Sequence, residues 1–126
     1  MAGSLQRLFP VSAVLGTLAV LTTGPAQAQS AFDGLWSVQI VSQYGSCGQG
    51  YVTYPVRIVR GIVYNAGSMS GSVGGRVDRR GAVRVSVSSG GAQAHGSGRL
   101  SGYSGAGRWN SPTNGCGGYW RAARQS

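Results

Sequence analysis

The chain has no lysine and no glutamate, and its 126 residues include only two aspartates, one histidine and two cysteines. General acid–base catalysis needs a positioned pair of titratable groups, and a metal site needs clustered ligands. Asp33 precedes the first predicted strand, Asp78 lies at a turn and His95 lies on a polar strand face, so none is placed to meet another. The sequence therefore predicts a protein that is not an enzyme and holds neither a cofactor nor a metal.

Residues 1–28 have the three parts of a secretory signal peptide. Arg7 supplies the positive charge, residues 8–21 form an apolar core, and residues 26–28 read Ala-Gln-Ala, a small-residue cleavage site. The core is shorter than the roughly 20 residues that a membrane span needs. We therefore expect cleavage, a single mature domain at 29–126 with no transmembrane span, and a periplasmic or secreted location.

Export favours a disulfide between the two cysteines, because exported proteins meet an oxidising environment. Cys47 and Cys116 enclose most of the mature domain, so the bond would stabilise it by roughly 4 kcal/mol on the loop-entropy account. A catalytic or metal-binding cysteine is the alternative. The chain has no second histidine and no Cys-x-x-Cys spacing to support it.

The stretch 81–102 carries the clearest structural pattern. Val83, Val85 and Val87 alternate with polar residues, as in a half-buried strand. The following Gly90-Gly91 is a favoured hairpin turn, because both positions tolerate positive φ. A hairpin closed there pairs Val87 with Ala94, Ser86 with His95, Val85 with Gly96, Arg84 with Ser97 and Val83 with Gly98.

Similar patterns predict further strands on both sides of this hairpin, at 34–43, 51–59, 62–65, 69–77 and 117–123. A three-residue loop at 79–81, with its glycine in the left-handed conformation, pairs Val77 with Val83. These pairings keep apolar residues on one face. The registers of the hairpins that turn at 79–81 and 90–91 are therefore predicted by turn and alternation together, whereas the register of the strand at 62–65 is left open.

A short seventh strand is predicted after a four-residue loop at 102–105. This loop would place Gly107 opposite Leu100 and Trp109 opposite Gly98. A large ring beside a strand glycine fills the volume that the missing side chain leaves. Trp109 is therefore predicted to belong to the core rather than to a ligand platform.

About eight short strands and no helix predict an all-β fold. With eight up-and-down strands the first and last run antiparallel, so they can pair and close a small barrel. Cys47 follows the first strand and Cys116 precedes the last, which places both at the same end of adjacent strands. A two-sheet β-sandwich is the alternative, favoured by Pro55, which cannot donate to a ladder.

Three likenesses to known families follow from these residues. Gly34-Leu35-Trp36 on the first strand resembles the opening strand of lipocalin-like and avidin-like barrels, which implies a small apolar pocket at a barrel mouth. The chain also resembles small exported proteobacterial proteins in its cysteine pair, Cys47 and Cys116, and in its meander of strands separated by glycines. This resemblance implies no particular function. A periplasmic family of disulfide-linked protease-inhibitor barrels is also similar, although its cysteines are expected to lie closer together.

The formal net charge of +9 comes from 11 arginines and two aspartates, and such an imbalance favours anionic partners. In the predicted registers Arg99 lies directly opposite Arg108 and diagonal to Arg84. Like charges across a ladder are destabilising. These three arginines, together with Arg57, are therefore predicted to bind phosphate or carboxylate groups. The alternative is a solvated face on which the side chains fan apart and salt screens them.

We therefore expect an exported, non-enzymatic binding or structural domain of the cell envelope. Its basic face would meet an anionic envelope polymer or another exported protein, and export argues against nucleic acid. The alternative function is a protease inhibitor or a small-ligand carrier that uses the barrel mouth. An eight-stranded barrel can be filled by its own side chains or hold one small ligand.

Overall fold

The computed structural model describes residues 30–67 and 70–126. The predicted signal peptide at 1–28 and Met69 of the predicted fourth strand lie outside the described residues. A 3-10 turn at Ser30–Phe32 precedes eight strands: β1 (Gly34–Tyr44), β2 (Gly50–Val59), β3 (Ile62–Asn65), β4 (Ser72–Val77), β5 (Ala82–Ser89), β6 (Ala92–Ser101), β7 (Ser104–Ser111) and β8 (Cys116–Arg124). Within these two ranges, no helix has the length and hydropathy of a membrane span.

The strands form a closed up-and-down barrel. Each strand pairs antiparallel with the next, and β8 pairs with β1. The predicted all-β barrel is therefore confirmed, and the sandwich alternative is wrong. Pro55 lies inside β2, opposite Ser37 of β1. On its other side, its carbonyl accepts a hydrogen bond from the amide of Ala66, just after the end of β3. The β2–β3 ladder itself spans only Val56–Val59, which fits the missing donor of proline.

Glycine turns set the registers that the sequence predicted. Gly90 and Gly91 both have positive φ, at 58° and 86°, and they close β5 on β6. All the predicted pairs of this hairpin are present. Gly81 has φ +91°, and the turn that contains it pairs Val77 with Val83 as predicted.

The turn between β6 and β7 is shorter than the sequence analysis predicted. The four-residue loop at 102–105 is wrong, because the turn consists of Gly102 and Tyr103 alone. Gly102 has φ +62°, and glycine at the first central position is typical of a type II′ hairpin turn. Leu100 therefore faces Gly105 rather than Gly107. A shift of two residues keeps every side chain on its own face, so alternation alone does not detect it.

The predicted disulfide is confirmed and joins two loops at one end of the barrel. Cys47 lies between β1 and β2, and Cys116 is the first residue of β8, with 5.7 Å between their Cα atoms. Beside the bond, the hydroxyl of Ser46 donates to the carbonyl of Asn114 at 2.6 Å. The bond is consistent with an oxidising, exported location.

The opposite end of the barrel, called here the closed end, holds most of the buried core. It carries the turns at 60–61, 78–81 and 102–103 and both ends of the described chain. Most of the fully buried side chains lie within a few residues of these turns, and they include Trp36, Ile58, Val63, Val77, Val83, Leu100 and Ala122. The 3-10 turn covers this end, because the Trp36 indole donates to the carbonyl of Phe32 at 2.9 Å and Phe32 packs on the core.

Trp120 fills the space above glycines of two neighbouring strands. A Cβ atom at Gly98 of β6 or at Gly107 of β7 would lie 2.6 Å from its ring. The indole N–H then donates to the carbonyl of Ser97 at 3.2 Å. The predicted contact of Trp109 with Gly98 is therefore wrong, because the shorter β6–β7 turn moves Trp109 opposite Gly96.

The packing of Trp120 on glycine can be tested by adding one methyl group. We expect Gly107→Ala to destabilise the protein by about 1–3 kcal/mol, because the new Cβ atom collides with the ring and with the Ser97 carbonyl. Gly74→Ala is the matched control, since a Cβ atom there meets nothing within 4 Å on the outer wall. Urea unfolding of both variants measures the difference. Equal stability of the two would contradict the proposed role of the Trp120 contact.

Candidate functional site

The half of the barrel nearest the disulfide, called here the open end, contains a cavity of about 500 Å³. All eight strands contribute to its lining, and the aliphatic side chains of its walls include Ile40, Val52, Val56, Val73, Val85 and Val87. Its floor reaches the closed-end core at Trp36 and Leu100. Several wall side chains are only partly buried, because no larger residue covers them. The cavity therefore opens at the disulfide end.

Small residues on the inward face leave this volume empty. Gly75, Ala94 and Gly96 occupy inward positions opposite Val85 or Val87. A Cβ atom at Gly96 would have no neighbour closer than 3.6 Å, so the space beside it is open, unlike that at Gly98. The sequence analysis left open whether the glycines would be filled or would leave room, and both outcomes occur at different levels of the barrel.

Most polar atoms of the aromatic side chains that line the cavity already form hydrogen bonds within the protein. The Trp109 indole crosses the neighbouring strand and donates to the carbonyl of Val41 at 3.0 Å. The indoles of Trp36 and Trp120 also donate to backbone carbonyls. His95 contributes to the cavity wall, but its ring nitrogen lies 3.3 Å from the hydroxyl of Ser86 on the outer face, where the sequence predicted it. The described cavity lining is otherwise apolar, apart from Tyr54 and three serines.

The two ends of the barrel differ in charge. The described loop residues of the open end, at 45–49, 66–67, 70–71, 90–91 and 112–115, contain no charged residue. The closed end carries Asp33, Arg60, Asp78, Arg79, Arg80 and Arg124. At the rim, Tyr51 is 66% exposed and Val52 is 48% exposed. A ligand that enters the cavity therefore passes an uncharged rim.

The outer wall carries one exposed arginine on each of five consecutive strands. This arginine face consists of Arg76, Arg84, Arg99, Arg108 and Arg121 on β4 to β8. Arg76 lies directly opposite Arg84 in the β4–β5 ladder. Ser97 lies between Arg84 and Arg108, opposite both. The face is therefore a continuous band across the strands.

The structure corrects part of the predicted arginine patch. Arg99 faces Ala106 and is diagonal to Arg108, so these two arginines are not directly opposite as predicted. The reason is again the shorter β6–β7 turn. Arg84 is diagonal to Arg99, as predicted. Arg57 is not brought to this face, because it lies on β2, and β3 separates β2 from β4, where the face begins.

The directly opposite pair of like charges was missed, although the predicted registers contained it. Pairing Val77 with Val83 and Gly75 with Val85 places Arg76 opposite Arg84 by simple counting. Like charges in this position repel each other. Of the aspartates in the two described ranges, Asp78 interacts electrostatically with Arg99 and offsets part of the charge at that end of the face.

Two arginines of the face have neutral partners. The Arg99 guanidinium donates to the carbonyl of Arg80 at 3.1 Å. The Arg121 guanidinium lies 5.3 Å from the centre of the Tyr119 ring and donates to the Tyr119 hydroxyl at 3.1 Å. These contacts position the side chains without reducing their charge.

Both carboxylates of the chain stabilise turns of the closed end. Asp33 accepts hydrogen bonds from the amides of Arg60 and Gly61, at 2.7 and 3.3 Å. Asp78 accepts from the amides of Arg80 and Ala82, at 2.8 and 2.9 Å. Among the described residues, no three histidine, cysteine, aspartate or glutamate side chains lie together as metal ligands would.

The hydrogen bond from the Ala82 amide is the main reason that the pKa of Asp78 lies below its ordinary value of 3.8. The Arg80 amide and the positive charges of Arg80 and Arg99 lower this pKa further. Desolvation, the second-largest effect, acts in the opposite direction. The charged form of Asp78 is therefore the one that the β4–β5 turn favours.

Comparison with known proteins gives no match: no family model, no curated protein and no solved structure matches the chain. The likenesses based on Gly34-Leu35-Trp36 and on the cysteine pair therefore stay predictions. Any function has to be argued from the cavity and the arginine face.

Protonation of Asp78 should destabilise the β4–β5 turn. Because its folded-state pKa is lowered, the carboxylate contributes stability above its unfolded pKa of about 4 and loses it as the pH falls through the folded value. We expect Asp78→Asn to lower the melting temperature at neutral pH and to have little effect near pH 2. Thermal unfolding followed by circular dichroism measures the gap between wild type and variant. If the difference in melting temperature stays constant across this pH range, the charge of Asp78 does not stabilise the turn.

Proposed function

We propose that the protein is an exported, non-enzymatic binding domain whose cavity holds one small apolar ligand. The observation that carries this proposal is the cavity of about 500 Å³, which lies within the range of about 300–1,000 Å³ for small-molecule sites. Its lining is aliphatic and aromatic, and it opens at an uncharged rim. The predicted signal peptide and the disulfide support a periplasmic or secreted location.

The driving force for such binding is the removal of apolar surface from water, worth about 25 cal/mol per Å². The ligand would cover partly exposed wall residues such as Val38, Ile40 and Val85, which the protein itself leaves uncovered. The cavity is bounded by strands rather than by loops, so little chain has to become ordered on binding. A preformed site of this kind loses less conformational entropy when it is filled.

A neutral apolar fluorophore tests the cavity directly. We expect the oxidised mature protein to bind 1-aminoanthracene saturably and with an affinity that high salt does not reduce, since no charge is involved. Gly96→Leu should weaken binding at least about tenfold, because its side chain enters the cavity where a Cβ atom meets no close neighbour. Fluorescence titration measures both affinities.

Gly74→Leu is the matched control for this experiment. It adds the same side chain to a strand glycine, but on the outer wall, where the space is open. It should bind the fluorophore as the wild type does. The proposal fails if the wild type shows no saturable binding, or if the two variants bind with equal affinity.

A second candidate function is supported by the arginine face. Arg76 and Arg84 repel each other directly across a ladder, and Arg99 and Arg108 extend the positive band without a carboxylate between them. A phosphate- or carboxylate-bearing polymer of the envelope would relieve this repulsion through bidentate contacts. This surface lies on the outer wall, so it can act alongside a filled cavity. Arg57 is not included.

The arginine face can be tested against net charge alone. We expect Arg84→Gln/Arg108→Gln to elute from immobilised heparin at clearly lower salt than the wild type, because salt competes with phosphate- or carboxylate-type contacts. The control, Arg57→Gln/Arg60→Gln, removes the same charge from β2 and the turn that follows it, outside the arginine face, and should shift elution less. Equal shifts for the two double variants would mean that the whole charge, and not this face, determines retention.

A further inference from the structure

Tyr54 is the one tyrosine among the described residues that line the cavity. Tyr54 faces inward on β2, opposite Val38 and between the inward residues Val52 and Val56. The three indole N–H groups of the barrel all donate to backbone carbonyls. By contrast, the Tyr54 hydroxyl forms no hydrogen bond with any of the described residues. It is a donor and an acceptor placed at an otherwise apolar wall.

An unpaired hydroxyl in an apolar cavity influences which ligand binds best. Tyr54 is only partly buried, so solvent can reach its hydroxyl in the empty protein. A hydrocarbon that displaced this water would leave the hydroxyl unpaired, which costs free energy. A ligand with its own hydroxyl or carbonyl at this position replaces the lost hydrogen bond. Tyr54 therefore favours ligands that carry one polar group.

The cavity also disfavours a charge on that group. The described lining contains no aspartate, glutamate, lysine or arginine, and the open-end loops contain none either. The nearest inward arginine, Arg124, lies at the closed end, where it is held over the rings of Trp36 and Tyr103. A carboxylate or phosphate buried beside Tyr54 would therefore lack a counter-charge, which is costly.

We infer that the cavity selects an uncharged amphiphile: an apolar chain directed at the Trp36 and Leu100 floor, with a single hydroxyl or carbonyl group at Tyr54. This inference rests on the proposed function of the cavity and assigns Tyr54 as the residue that determines specificity. The few serines near the mouth, Ser42 and Ser89 among them, lie farther along the strands toward the open end. Counted from the floor toward the mouth, Tyr54 is thus the first polar side chain along the length of a chain-shaped ligand.

Competition against bound 1-aminoanthracene tests this specificity with two probes of equal chain length. In the wild type at about pH 8, where the acid is ionised, we expect 1-nonanol to displace the fluorophore at least about tenfold more effectively than nonanoate. In Tyr54→Phe, the affinity for 1-nonanol should fall about fivefold, as expected for one neutral hydrogen bond. The affinity for the fluorophore itself should change little.

Tyr51→Phe provides the matched control. Tyr51 lies on the same strand but points outward and is 66% exposed, so the loss of its hydroxyl should leave both probes unaffected. Three results are informative in different ways. If the wild type does not bind the fluorophore, the cavity function itself fails. If the fluorophore binds but 1-nonanol displaces it equally well from Tyr54→Phe and from Tyr51→Phe, the proposed role of Tyr54 is wrong. If nonanoate competes as well as 1-nonanol, the preference for an uncharged ligand is wrong.

Discussion

The contact between the Trp120 ring on β8 and the glycines of β6 and β7 decides how the barrel is filled. The ring covers Gly107 and Gly98, where a Cβ atom would collide with it, and its N–H is satisfied by the Ser97 carbonyl. This arrangement fills the cross-section near the closed end and completes the core around Leu100. Nearer the open end, a Cβ atom at Gly96 would meet no atom closer than 3.6 Å, so the same kind of residue leaves room beside the cavity.

Charged side chains lie on the outer wall and at the closed end, whereas the apolar cavity lies inside the open half of the barrel. The two aspartates, Asp33 and Asp78, are bound to backbone amides of closed-end turns, so their negative charge lies at that end, where Asp78 interacts with Arg99 of the arginine face. The inward positions of the open half are apolar or carry neutral polar groups. The result is a neutral interior inside a positive outer wall. Because the cavity and the wall use alternate residues of the same strands, each can change without disturbing the other.

Much of the fold could be predicted, because alternation and glycine turns constrain the same registers. Gly90-Gly91 and the glycine at 81 determined two hairpins correctly, and the positions of the cysteines predicted the closure of the barrel. The β6–β7 register was wrong by two residues, since a period of two cannot distinguish registers that differ by two. Only the turn type separates them, and Gly102 at a first central position was the signal for the shorter turn.

The two candidate sites differ in how far the sequence could predict them. Arg76 opposite Arg84 follows from a register that the sequence already supported, so counting along both strands was enough to find it. The cavity depends on which strand glycines are covered by a ring from two strands away. One-dimensional spacing does not specify such a contact, because the side chain of Trp120 reaches across β7 to β6. Tyr54 likewise became informative only when the partners of the other polar groups were known.

The disulfide connects these features, because it lies where the barrel has least packing of its own. Cys47 lines the cavity, and its bond to Cys116 ties the β1–β2 loop to the start of β8. The bond removes freedom from the unfolded chain over a separation of 69 residues, and it also fixes the rim of a cavity that no core supports from within. A rim held in place before binding loses less entropy when a ligand enters. The oxidation that stabilises the fold therefore also preorganises the entrance to the cavity.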